Sequence, residues 1–197
     1  MSNLWSISEG SPDALGSGSV GLINSLISAT YPRHRLRIIN MGIGGNTVRD
    51  LKARWQSDVL ALNPDWLSVM IGINDVWRQF DNPLQTEKHV GLNEFEQTLD
   101  ELMRSTLPHL SGLILMTPYF VEPNRADPMR KMMDMYGDAV RGLAKRYPAI
   151  LVDTQMAWDE ALAEIHSVAL APDRIHPNIT GHMILARAFL TAVGYAW

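Results

Sequence analysis

The sequence predicts an α/β protein built as a sandwich, with a parallel sheet covered by helices on both faces. Short apolar runs read as strands alternate along the chain with longer segments of helical periodicity. One of those runs, Trp66–Gly72, is apolar almost throughout, as a strand buried on both faces of a parallel sheet must be. Three polar clusters, Asn40–Thr47, Gly72–Asp75 and Asp173–Pro177, fall in predicted loops at the C-terminal ends of strands, where open α/β sheets form their sites.

Residues 1–19 are rich in Ser and Gly and read as a loop, with at most a short strand at Leu4–Ser8. Leu22, Ile23, Leu26 and Ile27 then mark a helix that stops before Pro32. Leu36–Ile39 reads as a strand running into the glycine loop Gly42-Ile-Gly-Gly-Asn-Thr47. Thr47 and Asp50 have capping-box spacing, and Val48, Leu51, Trp55, Val59 and Leu62 predict one helix ending near Asn63-Pro64. After the Trp66–Gly72 strand, a helix is expected over 92–107 and a strand over 112–117. Asp127-Pro128 is an N-cap followed by Pro at the first helical position of a Met-rich helix. Ile150–Thr154 is the last predicted strand, and helices flank the Asp173–Pro177 segment. The 197 residues show no repeat or linker and are expected to form a single domain, 1–197, long enough to bury a full core.

Composition excludes several classes of function. A net charge of −4 leaves no basic stripe for nucleic acid. The absence of cysteine removes disulfides, a thiolate nucleophile and cysteine-ligated zinc. The histidines lack metal-ligand spacing, so no metal is expected, and His182 reads as half-buried packing on a helix. No apolar run approaches the roughly 18 residues that span a bilayer. The first ten residues lack the basic and apolar regions of a secretory signal, so the expected location is cytoplasmic.

The chemistry begins with Asp173-Arg-Ile-His176. An Asp three residues before a His can accept from Nδ1–H, fix the tautomer and leave Nε2 as a general base. Gly42, Gly44 and Gly45 let backbone N–H groups face an anion, either an oxyanion or a phosphate. A nucleotide site is disfavoured because the loop lacks both the third glycine and a Gly-Lys-Ser/Thr phosphate loop. Asn74 can donate its side-chain amide to an oxyanion or cap the strand end, while Trp77 and Arg78 can line the pocket or pack on the surface.

Together these clusters resemble the GDSL/SGNH hydrolases, most closely the intracellular acetylxylan esterases of Gram-positive bacteria. The resemblance rests on Gly45-Asn-Thr-Val-Arg-Asp-Leu-Lys-Ala-Arg-Trp55, Val69-Met-Ile-Gly-Ile-Asn-Asp-Val-Trp-Arg-Gln79 and Gly181-His-Met-Ile-Leu-Ala-Arg-Ala-Phe189. It implies a flavodoxin-like three-layer sandwich and a serine esterase that deacetylates short xylo-oligosaccharides. It also implies no cofactor and a homo-oligomer. The implied roles are His176 as base, Asp173 as its orienter, and Gly45 with Asn74 as oxyanion donors. Two departures stand out. The family's first block, an apolar strand followed by Gly-Asp-Ser, does not occur in the sequence, and counting back places its serine just before Met1. Ser8 and Ser11 are the remaining nucleophile candidates, Leu4–Ser8 could stand in for the strand, and the alternative function is a relative that binds an acyl ligand without hydrolysing it. Pro172 occupies a position where the resemblance implies an aromatic pocket wall.

Overall fold

The computed structural model describes residues 15–197. The expected strand at Leu4–Ser8 and the serines Ser8 and Ser11 lie outside them. Among the described residues, three strands form one parallel sheet in the order β1 (Trp66–Met70), β2 (Gly112–Met116) and β3 (Ala149–Val152). Trp66 aligns with Gly112 and Met70 with Met116, while Leu113 aligns with Ala149 and Met116 with Val152.

The sandwich follows from the two-residue period of β2. Leu113 and Leu115 point into the larger core, with Phe95, Leu99 and Met103 of α5 (Leu92–Thr106) and Met133, Val140 and Leu143 of α6 (Pro128–Arg146). Ile114 and Met116 point the other way, joining Val152 beneath Ala188, Phe189 and Ala192 of α8 (Ile179–Ala192), the helix after α7 (Thr154–Leu162). The helix α1 (Ser19–Thr30) packs on α8 through Ile23, Ala186 and Leu190. At that seam the Ser19 N–H donates to His182 Nδ1 at 3.2 Å. His182 is buried rather than half-buried, and burial pushes its imidazole down to about 4, so it serves as a neutral acceptor.

Four further local expectations need correction. Residues 36–39 form no ladder, and Leu36 and Ile39 are exposed. A strand exists only through its neighbours, and among the described residues no strand pairs with this segment. The Trp66–Gly72 run is not buried on both faces: β1 stops at Met70, Val69 is buried, and Trp66 is 54% exposed. In the described residues β1 pairs on one edge only, so its apolar character exceeds its cover.

The single helix expected after Thr47 is broken into α2 (Val48–Ala53), α3 (Trp55–Asp58) and a short 3-10 turn ending at the left-handed Asn63. The break falls at Arg54, whose guanidinium bonds Met41 O at 2.6 Å, Asn46 Oδ1 at 2.9 Å and Asp58 at 2.6 Å. The guanidinium thus ties the preceding glycine loop to helix α3. Finally, Gly72–Asp75 is not a loop: Gly72, at φ 120°, starts helix α4 (Ile73–Asp81), so Asn74 and Asp75 stand in a first helical turn. The capping box is present, with Asp50 Oδ2 accepting from the Thr47 N–H at 2.8 Å.

Candidate active site

The Asp173–His176 turn is built almost entirely from its own atoms. Asp173 Oδ1 accepts from the backbone N–H of Ile175 at 3.0 Å and of His176 at 2.8 Å. Asp173 Oδ2 lies 2.6 Å from His176 Nδ1. With both carboxylate oxygens engaged, the aspartate faces the ring and Nε2 is left as the base. Partial burial pushes the Asp173 carboxyl up, but the His176 backbone N–H, the imidazole and the Ile175 N–H outweigh it and hold the group below its ordinary value. The turn is anchored below by the buried Ile175 and above by Asn178, which caps α8 through the Gly181 N–H at 3.1 Å. Between the pair, Arg174 adopts φ 65°, a left-handed conformation that costs a non-glycine residue of order 1–3 kcal/mol.

The second half is assembled from segments far apart in sequence. Asn74 and Asp75 reach from the start of α4 to the glycine loop by two neighbouring bonds. Asn74 Nδ2 donates to Asn46 O at 3.0 Å, and the Val48 N–H donates to Asp75 Oδ1 at 2.9 Å. Both side chains are buried. An amide –NH₂ has two donors, so this bond fixes the Asn74 rotamer and leaves the second N–H. Gly45, at φ 82°, makes the turn that precedes Asn46, and no heavy atom lies within 4 Å of where a Cβ would stand. Only the backbone conformation demands glycine there. Asn40 closes the loop from the other side, accepting from the Gly42 N–H at 3.1 Å.

Helix α4 joins the two halves. Its Trp77 ring meets the His176 ring edge-on, with centroids 5.6 Å apart. Three residues of one helix therefore face the glycine loop and the histidine together: Asn74 and Asp75 toward the loop, Trp77 toward the base. Arg78 stacks on Trp77 at 4.8 Å and is ion-paired to Asp81, so it supports the tryptophan. All four expected side chains or backbone groups with described coordinates, Gly45, Asn74, Asp173 and His176, thus belong to one connected structure. Among the described residues no group of three or more Asp, Glu or His side chains could hold a metal ion.

Sequence reasoning missed Asp75 as a distinct member of the site. Its Oδ2 has no hydrogen-bond partner, and burial raises the carboxyl to about 7 against the opposing bond from Val48. The signal was its place beside Asn74, one residue further into a helix start. Glu122 and Arg130 had no such signal, because their partners lie 52 and 29 residues away in Arg174 and Asp159.

Residues 6–184 match the model of the GDSL-like lipase/acylhydrolase family. An acetylxylan esterase from Geobacillus stearothermophilus is 54% identical over 189 residues, covering 96% of this chain and 86% of the relative. Its crystal structure superposes with a TM-score of 0.94 over the same shares of the two chains. An alpha/beta hydrolase enzyme from the metagenome of Lake Arreo, Spain, is 56% identical with a TM-score of 0.92, covering 94% of this chain and 85% of its own. Other structures of the Geobacillus enzyme are of catalytic mutants in which a serine, a histidine or an aspartate is replaced by alanine. That aspartate and histidine stand three residues apart, the spacing of Asp173 and His176. A further variant replaces a tryptophan directly before that aspartate, where this chain has Pro172.

Proposed function

Because the chain belongs to the GDSL-like lipase/acylhydrolase family, we propose that it is a serine ester hydrolase that removes acetyl groups from short acetylated xylo-oligosaccharides or similar small acyl esters. The observation that carries this reading is the continuity from the Asp173–His176 pair through Trp77 to Asn74 and the Gly45 loop. A base, its orienter and two kinds of N–H donor are what serine acyl transfer requires beside its nucleophile. The chemical class of the substrate is supported by the Geobacillus relative, an acetylxylan esterase.

In this reading a serine Oγ attacks the acyl carbonyl carbon while His176 Nε2 takes its proton. The carbonyl oxygen becomes an oxyanion facing the Gly45 N–H and the second Asn74 N–H. Collapse breaks the bond to the sugar oxygen, which receives the proton from His176 and leaves as the alcohol. Water then adds to the acyl-serine, its proton passing to His176 and on to the departing serine, and acetate is released. Asp173 stabilises the imidazolium formed in each half without taking the proton.

The second reading is a relative that binds an acetylated sugar or acyl ligand without turnover. Labelling with a fluorophosphonate followed by peptide mapping separates the two. A single labelled serine, Ser8 or Ser11 among the candidates, and hydrolysis of p-nitrophenyl acetate support the enzyme. No label, with retained binding of acetylated xylobiose, supports the binder. The reading also includes a single domain over 1–197, a homo-oligomer and a cytoplasmic location, which limited proteolysis, light scattering and cell fractionation test. No helix among the described residues is long and apolar enough to cross a membrane.

A further inference from the structure

Arg174 stands between the two members of the pair yet is a partner to neither. Its left-handed backbone is what lets the chain double back, so that the N–H groups of Ile175 and His176 both reach Asp173 Oδ1 while Oδ2 meets the ring. A residue with a Cβ holds that conformation only when its surroundings over-determine it. Here they do. The Arg174 N–H donates to Ala171 O at 2.9 Å, and Arg174 O accepts from the Val121 N–H at 3.0 Å. The Arg174 guanidinium lies 5.0 Å from the centre of the Phe120 ring and donates to Glu122 Oε2 at 2.6 Å.

Glu122 is itself held in place. Its Oε1 accepts from the Asn124 N–H at 2.8 Å, and its backbone carbonyl accepts from Arg130 Nη1 at 2.6 Å. Arg130 is 2% exposed and is fixed between Asp134 and Asp159. A buried, doubly paired arginine on α6 therefore anchors the segment that grips the Asp173–His176 turn.

We propose that Glu122 and Arg174 are positioning residues whose ion pair latches this left-handed turn and thereby sets the tautomer of His176. The pair is partly exposed, with Arg174 at 44% and Glu122 at 15%, and such pairs contribute little to global stability. Its effect is on the orientation of Asp173 toward Nδ1. The catalytic weight of the latch rests on the ester-hydrolase reading; its effect on the tautomer does not.

The test is long-range ¹H–¹⁵N spectroscopy of the full chain labelled in histidine, at alkaline pH, with His176 assigned by its loss in His176→Gln. In the unaltered protein the neutral ring carries its proton on Nδ1. In Glu122→Ala and Arg174→Ala the ratio of Nδ1–H to Nε2–H forms is expected to fall at least about twofold. Arg174→Lys, which keeps the positive charge, is expected to recover most of it. Glu122→Gln keeps an oxygen for the Asn124 N–H and loses the charge, so it reports on the ion pair even if Glu122→Ala fails to fold. Asp138→Ala, which breaks a distant ion pair to Arg141, is expected to change nothing. An unchanged ratio in folded Glu122→Gln and Arg174→Ala would overturn the proposal, as would an equal fall in Asp138→Ala. Turnover of p-nitrophenyl acetate is measured alongside. A tautomer shift in a protein without turnover leaves the latch standing and removes the ester-hydrolase reading instead.

Discussion

The two halves of the candidate site are built by opposite strategies. The Asp173–His176 half is local: three hydrogen bonds close within four residues, and the geometry is written into one strained turn. The Gly45–Asn74 half is assembled across the chain, by bonds joining residues 27 and 28 positions apart. The local half closes its own bonds and takes from outside only the hold of the 120–122 segment on Arg174, whereas the assembled half depends throughout on the helix α4 staying in register with the glycine loop. Asp75 bears most of that dependence, because it is buried, bonded on one oxygen and unpartnered on the other.

Substitutions in each half should separate these strategies. The largest effect is expected from His176→Ala, which removes the base: p-nitrophenyl acetate turnover should fall by at least about 10³, with little change in melting temperature. Asn74→Ala should reduce kcat by roughly 10²–10³ if its amide faces the oxyanion. It should also lower stability, because Asn46 O loses its donor; a kcat loss without a stability loss would contradict the assembled character of this half.

Asp75→Asn tests the assembled half through pH. The Asp75 carboxyl is raised from 3.8 to about 7 by burial. The folded chain thus holds this proton more tightly than the unfolded one, so its stabilising contribution is complete below about pH 4 and is lost as pH rises through about 7. The stability of Asp75→Asn relative to the unaltered protein should therefore rise by on the order of 2–4 kcal/mol between about pH 4 and about pH 8. Urea unfolding at both pH values measures it, and a constant difference would mean that Asp75 is ionised throughout. The smallest effect is expected from Asp50→Ala, which removes the N3 half of the capping box of α2 beside the glycine loop. It should cost about 1 kcal/mol in urea unfolding.

What the sequence made legible follows the same division. The Asp127–Pro128 start of α6, the Thr47–Asp50 capping box and the Asp173–His176 pair depend on neighbours a few residues away, and each stands as expected. Residues 36–39 carry strand-like composition but form no ladder, because pairing depends on a partner that composition does not specify. Val48–Leu62 keeps helical periodicity yet breaks at Arg54, whose side chain serves the glycine loop. Asn74 is legible in the sequence as a donor but not as part of a helix; a glycine at φ 120° opening a helix leaves no mark beyond the glycine itself. The Glu122–Arg174 ion pair, spanning 52 residues, had no sequence signal at all.

In the proposed reading the two halves form one ester-hydrolysing site around His176. Its most direct measurement is the rate at which a fluorophosphonate labels the folded protein, compared with that of His176→Ala. The expected result is one labelled serine in the unaltered chain and a rate at least about 10³ lower in the variant, since the base that activates the serine is gone. Equal labelling of both proteins, or labelling of neither, would contradict it.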